Sequence, residues 1–242
     1  MIEFSVILPA KDESENIATL LQEIDTALAE QSYEVVLVDD GSSDDTGQQA
    51  LKTAEAMQGK VTVIRHQRSC GQSTALYTAA RHSEGRFIVV LDADGQNDPA
   101  DIPLLKQQAE LMTSENFCVI GHRHQRKDTA WKRFQSKVAR KVRLWLLKDD
   151  TPDTGCGLKI LPRTTYLQLP YFHHMHRFVP VLVRRMGGTV RSVHVNHRPR
   201  LQGQSKYNAW NRTWAGLLDI MGVMWLVYRS RQVSIERMDD NR

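Results

Sequence analysis

The chain is poor in cysteine and lacks any long apolar run. Its three cysteines, Cys70, Cys118 and Cys156, are odd in number and widely spaced, so we expect reduced thiols rather than a disulfide framework. No window of the sequence approaches the run of about 18 uncharged apolar residues that a transmembrane helix needs. The N-terminal segment lacks the basic start and the small-residue cleavage site of a signal peptide. These absences predict a cytoplasmic protein without a membrane-spanning helix.

The glycine motifs of two common nucleotide-binding folds are also missing. No G-x-G-x-x-G follows the first predicted strand, and no G-x-x-x-x-G-K-[ST] occurs, which disfavours a dinucleotide-dependent dehydrogenase and a P-loop nucleotidase. Aromatic residues make up 7% of the chain, and the basic half lacks the interleaved aromatic platform that binds single-stranded nucleic acid. We therefore expect no nucleic-acid partner.

Charge is distributed unevenly between the two halves of the chain. Residues 1–120 contain 8 lysines and arginines against 20 aspartates and glutamates, a net charge of −12, whereas residues 121–242 contain 24 against 8, a net charge of +16. The acidic half is suited to hold a cation, and the basic half is suited to meet phosphates. The alternative is that the two halves partly neutralise each other across an internal interface.

Short apolar runs alternate with amphipathic patterns through the first half of the chain. The predicted strands are "FSVILPA", "YEVVLVDD", "KVTVIRH", "GRFIVVLD" and "FCVIGHR", with helices between them, the first capped by Ser14. This alternation predicts an α/β fold with a mostly parallel sheet and helices on both faces. Later in the chain we predict a basic amphipathic helix over 131–147, a strand after "DTGCG" and an apolar helix over 214–228. We expect one domain over residues 1–242.

Carboxylates follow two of the predicted strands. Asp39 and Asp40 end the second, and Asp92 and Asp94 follow the fourth. Because the carboxyl ends of parallel strands open at one edge of a sheet, we expect these side chains to line one crevice. The Asp-x-Asp pair suits Mg²⁺ or Mn²⁺ held together with a diphosphate, and the earlier pair is suited to accept hydrogen bonds from a base or ribose. The alternative is helix capping, which we prefer for Asp98.

Five segments in this order carry a resemblance to a known family. They are "SVILPAKDESENI", "VVLVDDGSSDDT", "GQSTALYTAARHSEGRFIVVLDADGQNDP", "DTGCGLKI" and "HRPRLQGQSKYN". Together they closely resemble family 2 glycosyltransferases of the GT-A fold, a Rossmann-like nucleotide-sugar-binding fold, and within that family the dolichyl- and polyprenyl-phosphate glycosyltransferases. The resemblance covers about residues 3–228. The family's usual P-x-Y-N-E appears here as Pro9-Ala10-Lys11-Asp12-Glu13, so contacts to the nucleotide base are expected to differ.

The resemblance implies a division of labour along the chain. Residues 1–122 would bind the nucleotide-sugar and metal, and residues 123–228 would bind the acceptor. The implied nucleotide-pocket residues are Pro9, Glu13, Asp39, Asp40 and Asp92; the implied metal ligands are Asp92, Asp94 and Gln96; the implied catalytic residues are Asp94, Arg123 and Asp153. The implied contacts to the acceptor phosphate are Lys132, Arg133 and Ser136, together with Arg198, Arg200, Ser205 and Lys206 on a mobile loop.

The implied reaction is an inverting, metal-dependent transfer of a sugar from a nucleotide-sugar to a polyprenyl phosphate. A phosphate acceptor is already ionised and needs positioning and electrostatic guidance more than a general base. The family's processive polysaccharide synthases add a Q-x-x-R-W motif, which this chain lacks. Asp153 is either a base or acceptor-positioning carboxylate, or a turn cap. The competing hypotheses are transfer to a glycan hydroxyl and a non-catalytic module that binds nucleotide-sugars or nucleic acid.

The acceptor would be a membrane lipid, so a membrane contact is also expected. The basic helix over 131–147 and the apolar helix over 214–228 are suited to lie on an anionic bilayer surface with their apolar faces down. The alternative for the second helix is packing on the sheet. We therefore expect peripheral contact with the cytoplasmic face of the cell membrane. For the donor, the altered segment around Lys11 favours a uridine nucleotide over a guanosine nucleotide.

Overall fold

Seven strands form one mixed sheet in the computed structural model, which describes residues 1–123, 143–198 and 209–229, with the backbone alone for residues 209–217. The strands are β1 (Phe4–Ala10), β2 (Tyr33–Asp39), β3 (Lys60–Arg65), β4 (Phe87–Val90), β5 (Phe117–Arg123), β6 (Lys159–Pro162) and β7 (Thr189–Val195). Their order across the sheet is β3-β2-β1-β4-β6-β5-β7. Every strand predicted in the first half of the chain is present.

Most strand pairs in the sheet are parallel, and β6 is antiparallel to both of its neighbours. β1 pairs in parallel with β2 and β4, β2 with β3, and β5 with β7. β6 lies between β4 and β5 and is antiparallel to both, with Lys159 opposite Val90 and Ile120. All residues of β2 and β4 are buried, as expected for strands covered on both faces. The carboxyl ends of β1, β2, β4 and β5 therefore open at the same edge as the start of β6.

Helices flank this sheet. They are α1 (Ser14–Ala27), α2 (Thr46–Ala54), α3 (Gln72–Arg81), α4 (Ile102–Glu110), α5 (residues 143–147), α6 (Arg163–Gln168), α7 (Val179–Arg185) and α8 (Ala209–Arg229), with short 3₁₀ turns at Pro99–Asp101 and Met175–Arg177. The predicted α/β fold with a mostly parallel sheet and flanking helices is confirmed. Of the predicted basic helix over 131–147, residues 143–147 lie in the described part of the chain and are helical.

The apolar stripe of α1 faces the core as its periodicity predicted. Ile17, Leu20, Leu21 and Ile24 are at most 1% exposed, and each side chain of this size contributes about 1.5–3 kcal/mol when it is fully buried. Truncation of Leu20 to alanine would leave a cavity in this core and cost about 2–5 kcal/mol.

The prediction that Ser14 caps α1 was wrong. The helix begins at Ser14, the N-cap position is Glu13, and no side-chain capping bond forms there. The Ser14 N–H instead donates to Asp44 Oδ2 at 3.2 Å. A carboxylate from the loop after β2 therefore satisfies one of the free N–H groups at the helix start, a long-range substitution that local sequence rules do not capture.

Candidate active site

Asp40, directly after β2, anchors the start of α3. Its carboxylate oxygens accept hydrogen bonds from the backbone N–H groups of Cys70 and Gly71, both at 2.8 Å, and from the Ser69 hydroxyl at 2.9 Å. The His66 ring Nδ1 lies 2.8 Å from the same carboxylate. Burial acts to raise the pKa of Asp40, but the hydrogen bonds outweigh burial and lower the pKa below its ordinary value. The ionised carboxylate thus joins β2 to α3.

The same corner brings together three potential metal ligands. Ligand atoms of Asp40, His66 and Cys70 lie within 4.8 Å of one another. However, both ring nitrogens of His66 already have partners, since Nδ1 bonds Asp40 and Nε2 lies 3.1 Å from the Thr78 hydroxyl. A histidine ligates a metal through a ring nitrogen that carries no proton and makes no other bond. We therefore assign no metal to this cluster.

Asp39, the last residue of β2, is fully buried, and one of its two carboxylate oxygens makes no hydrogen bond within the described residues. Oδ1 accepts a hydrogen bond from the Ser42 N–H at 2.8 Å. Oδ2 makes no hydrogen bond within the described ranges and lies 3.5 Å from Arg65 Nε. A buried carboxylate oxygen without a hydrogen bond is costly. The positive charge of Arg65 offsets part of that cost.

Asp92 and Asp94 stand at the end of β4, as predicted. Asp92 Oδ1 accepts a hydrogen bond from the side chain of Gln72, the first residue of α3, at 2.8 Å. Asp94 Oδ1 accepts one from the Gln96 N–H at 3.2 Å. Burial and the like charge of Asp94 raise the pKa of Asp92, and the positive charge of Lys159 opposes them. Two neighbouring carboxylates of this kind fit a divalent cation, because its charge would relieve their repulsion.

Arg123 and Asp153 form a buried ion pair. Arg123, the last residue of β5, donates from Nε to Asp153 Oδ2 at 2.6 Å and from Nη2 to Oδ1 at 2.8 Å. Burial acts to lower the pKa of Arg123, but the bond and charge of Asp153 raise it overall. Asp153 is 8% exposed. The structure therefore brings two predicted catalytic residues, 30 positions apart, into one bidentate pair, with both carboxylate oxygens facing the guanidinium.

A cavity of about 550 Å³ lies beside these groups. The lining residues that bear on function are Gln72, Asp92, Arg143, Asp153, Lys159, His176 and Arg177. Five of these were not among the predicted site residues: Gln72, Arg143, Lys159, His176 and Arg177. Lys159 interrupts the apolar run "LKIL", and this single charge in a buried strand is the signal that was available.

His176 is held as a neutral side chain at the cavity wall. Its Nδ1 lies 2.7 Å from the Ser73 hydroxyl, and its backbone N–H lies 3.3 Å from the same oxygen. Burial, followed by the charge of Lys159, lowers the pKa of His176 well below its ordinary value. At neutral pH the ring therefore adds no charge to the cavity.

Two predicted nucleotide-pocket residues also lie at this edge of the sheet. Pro9 is the penultimate residue of β1 and is paired with Val38 of β2. Glu13 directly precedes α1, and its Oε2 accepts a hydrogen bond from Asn16 Nδ2 at 2.7 Å. Lys11, between them, is exposed. The turn after β1 thus runs beside the Asp39 carboxylate, since Ala10 is paired with Asp39.

The predicted acceptor residues are only partly within the described chain. Lys132, Arg133, Ser136, Arg200, Ser205 and Lys206 lie outside the described residues. Arg198 donates from Nη1 to both Glu23 carboxylate oxygens at 2.8 Å, and its Nη2 lies 2.7 Å from Asp98 Oδ1. The Arg198 backbone N–H donates to the Gln96 carbonyl at 3.0 Å, which places Arg198 directly beside the Asp94–Gln96 turn.

The predicted capping role of Asp98 is confirmed, because Asp98 Oδ1 accepts a hydrogen bond from the Ala100 N–H at 3.0 Å.

α8 has two faces with different surroundings. Asp219 and Ile220 line the cavity, and Asp219 Oδ2 lies 2.9 Å from His174 Nδ1. Apolar side chains on other positions of the helix are exposed: Leu218, Met221, Met224, Trp225 and Tyr228. Across the ranges that the structure describes, none of the helices is both long enough and apolar enough to span a bilayer.

Sequence comparison places the chain among known transferases. The family described as Glycosyl transferase family 2 matches residues 5–169. The chain is 32% identical over 207 residues to the undecaprenyl-phosphate 4-deoxy-4-formamido-L-arabinose transferase of Klebsiella pneumoniae (strain 342), covering 84% of this chain and 62% of that protein. It is 31% identical over 239 residues to the dodecaprenyl-phosphate galacturonate synthase of Rhizobium johnstonii, covering 95% and 69% respectively. The chain thus spans less than two thirds of the Klebsiella relative.

Structural comparison confirms the predicted GT-A fold. Glucosyl-3-phosphoglycerate synthase from Mycobacterium tuberculosis, in complex with Mn²⁺, UDP-glucose and glycerol 3-phosphate, has a TM-score of 0.67 at 18% identity, covering 93% of this chain and 80% of that one. Mannosyl-3-phosphoglycerate synthase from Rubrobacter xylanophilus has a TM-score of 0.67 at 13% identity, covering 99% and 79%. A further structure of the mycobacterial enzyme holds Mg²⁺ and UDP.

Proposed function

The chain belongs to glycosyltransferase family 2, and from this premise we propose that it transfers a sugar from a nucleotide-sugar to a polyprenyl phosphate, with inversion at the sugar. The observation that carries the proposal is the convergence of Asp39, Asp92 and Asp94 at one sheet edge, beside the Arg123–Asp153 pair. Two relatives at 31–32% identity are named for transfer to or synthesis on undecaprenyl and dodecaprenyl phosphate.

Asp39 supports recognition of the nucleotide base, and a uridine nucleotide fits it better than a guanosine nucleotide. Uracil presents one ring N–H, and Asp39 Oδ2, which makes no hydrogen bond within the described ranges, would accept it if the exposed Arg65 side chain moved aside. Guanine presents a ring N–H and an amino group side by side, which would need both oxygens of a carboxylate. Oδ1 of Asp39 is already bonded to the Ser42 N–H. The turn at Pro9 and Glu13 would complete this end of the pocket.

Asp92, Asp94 and Gln96 would hold Mg²⁺ or Mn²⁺, since carboxylate and amide oxygens are the ligands that these ions prefer. Bound there, the cation would offset the negative charge that develops on the departing nucleoside diphosphate. Gln72 keeps the Asp92 carboxylate in place through its 2.8 Å hydrogen bond. Asp40 supports this arrangement indirectly, because it fixes the start of the helix that carries Gln72.

The Arg123–Asp153 pair supports a phosphate acceptor over a hydroxyl acceptor. A hydroxyl must lose a proton as it attacks, so it needs a base with an oxygen free to take that proton. The Asp153 oxygens face Arg123 at 2.6 and 2.8 Å, and this contact weakens the carboxylate as a base. A polyprenyl phosphate needs no base. Its charge would be guided by the cationic side chains at the cavity, among them Arg143 and Arg177.

The exposed apolar row of α8 supports contact with the membrane that holds the acceptor. Leu218 is 64% exposed, Trp225 61% and Tyr228 85%. Tryptophan and tyrosine favour the interface between acyl chains and headgroups. Asp219, on the same helix, lines the cavity, so a bilayer under α8 would lie next to the site. We place this contact at the cytoplasmic face.

The test is a transfer assay with a panel of UDP- and GDP-sugars and a short polyprenyl phosphate, in Mg²⁺, in Mn²⁺ and in EDTA. We expect one glycosyl-lipid to form with metal and none to form in EDTA. Asp94→Ala should abolish the product, and the exposed Asp45→Ala should retain it. Metal-dependent transfer in the Asp94→Ala variant, or binding of no nucleotide-sugar by the wild type, would contradict the proposal.

A hydroxyl acceptor is the second candidate, because Asp153 does line the cavity. Asp153→Asn separates the two. For a phosphate acceptor we expect a reduced rate with an unchanged pH profile, since the residue acts by holding Arg123. For a hydroxyl acceptor we expect near-complete loss of transfer and loss of the acidic limb of the pH profile.

A further inference from the structure

Lys159 is a buried cation at the cavity for which the proposed reaction has no assigned use. It opens β6 and is 3% exposed, yet it lines the cavity. Its Nζ donates to the Cys156 carbonyl oxygen. An ammonium group carries three N–H donors, so this one neutral acceptor leaves most of its hydrogen-bonding capacity for other partners.

The positive charge of Lys159 interacts with the negative charge of Asp92, which is also one of the proposed metal ligands. The charges of Lys159 and Asp92 interact across the cavity wall. Arg123 is already paired with Asp153. If a divalent cation binds Asp92 and Asp94, the charge of Asp92 is shared with that cation. Lys159 then keeps a buried positive charge with weaker compensation, a costly state unless another oxygen approaches.

The strand register places Lys159 deeper in the site than the carboxylates. Lys159 is paired with Val90, two residues before Asp92, whereas Gly157 lies opposite Asp92 itself. A Cβ atom on Gly157 would lie 2.2 Å from Asp92 Oδ2, so the chain passes against the carboxylate with no side chain between them. Asp92 and Lys159 line the same cavity, so a nucleotide-sugar whose diphosphate is held at Asp92 and Asp94 would have its sugar in the space that Lys159 also borders.

We propose that Lys159 binds oxygen atoms of the donor sugar and helps to set which sugar is transferred. This inference rests on the proposed function, because it requires a nucleotide-sugar at the Asp92–Asp94 edge. Ring hydroxyls and a sugar carboxylate share the chemistry that an ammonium group recognises. A carboxylate adds an ion pair, so a uronate sugar would depend on Lys159 more strongly than a neutral hexose.

The test compares a nucleotide with and without its sugar. Dissociation constants for UDP, UDP-glucose and UDP-glucuronate are measured by calorimetry with Mn²⁺ for the wild type, Lys159→Met, Lys159→Arg and the control Lys106→Met. Lys106 lies on α4 and contacts Gln31 and Glu3 outside the cavity. We expect Lys159→Met to weaken one or both nucleotide-sugars by about 10- to 100-fold, the value of a hydrogen bond to a charged group, with UDP and the control unchanged.

Several outcomes overturn the inference. An equal loss for UDP and for the nucleotide-sugars would show that Lys159 acts through the carboxylates and not through the sugar. No loss for either nucleotide-sugar would remove the contact altogether. If Lys159→Met does not fold, Lys159→Arg decides, because a contact to the sugar requires a changed ratio between UDP-glucose and UDP-glucuronate affinities and an unchanged ratio contradicts it. A wild type that binds neither UDP- nor GDP-sugars would instead refute the proposed function itself.

Discussion

The two sides of the site stabilise their carboxylates in different ways. On the side built by β1, β2 and β4, Asp40 accepts hydrogen bonds from two backbone N–H groups and Asp39 accepts one, beside contacts from the side chains of Ser69, His66 and Arg65. On the side built by β5 and β6, Asp153 is paired with the Arg123 side chain. Backbone dipoles stabilise a carboxylate without cancelling its charge, whereas an ion pair cancels it. The first side therefore keeps a negative charge that attracts a cation, whereas on the second side the Arg123–Asp153 pair is neutral and Lys159 adds a positive charge.

Among the substitutions that test this difference between the two sides, Asp92→Asn should have the largest effect on transfer activity. We expect transfer to fall by about 10³-fold or more, since a group that stabilises the developing charge is lost. Because burial and Asp94 raise the pKa of Asp92, the ionised group destabilises the metal-free folded protein, and the variant should melt higher at pH 7.

The sign of the pH dependence checks that prediction. A pKa raised in the folded state means that the penalty from Asp92 is present at high pH. It is relieved as the pH falls through the folded pKa toward the unfolded value of about 4. The difference in melting temperature between Asp92→Asn and the wild type should therefore shrink at acidic pH. Calorimetric scans in EDTA measure it, and a variant that melts lower at pH 7 would contradict the account.

The Arg123–Asp153 pair should give the next largest effect, on stability. Removal of one partner leaves a buried charge unpaired. Arg123→Met and Asp153→Asn should therefore each lower the free energy of unfolding by about 3–5 kcal/mol. The double variant should cost less than the sum of the two single variants. A double-mutant cycle by urea unfolding measures the coupling free energy, and additive losses would mean that the pair contributes nothing.

Asp40→Asn should lower the free energy of unfolding by about 2 kcal/mol, because an amide nitrogen would face the N–H groups of Cys70 and Gly71. The hydrogen bonds lower the folded-state pKa of Asp40, so its contribution is complete above the unfolded pKa of about 4 and is lost as the pH falls through the lower folded value. Urea unfolding at pH 7 and pH 3 should show a smaller penalty at pH 3. An equal penalty at both values would contradict the role of its charge.

The smallest expected effects are changes in stability when alanine replaces either of two glycines. Gly222, inside α8, has nothing within 4 Å of an added Cβ, and Gly222→Ala should stabilise the protein by up to about 1 kcal/mol through helix propensity. Gly41 has a φ of +68°, and an added Cβ would lie 2.8 Å from Arg68 C and Ser69 N, so Gly41→Ala should destabilise. Thermal unfolding compares the two, and shifts of the same sign would contradict the prediction.

The sequence alone predicted the location of those site residues that follow directly from the end of a strand. Apolar runs located β2 and β4, and the parallel-sheet rule then brought Asp39 and Asp92 to one edge. Contacts between distant segments were not readable in this way. The bidentate bond between Arg123 and Asp153 and the place of Lys159 depend on how β6 returns into the sheet, and the Asp44 contact at Ser14 depends on the loop after β2 meeting the start of α1. Local periodicity carries no information about such a return.

The position of β6 also sets an order of assembly. β1 to β4 neighbour one another in the order β3-β2-β1-β4, so this block can form while the rest of the chain is still being synthesised. β5 has no pairing with β4 and joins the block through β6, which begins at Lys159. Pairing between segments so far apart slows folding, because the chain must close a long loop first. The block of β1 to β4 can thus form before β5 and β6 are made, and the cavity is closed only when β6 inserts between β4 and β5.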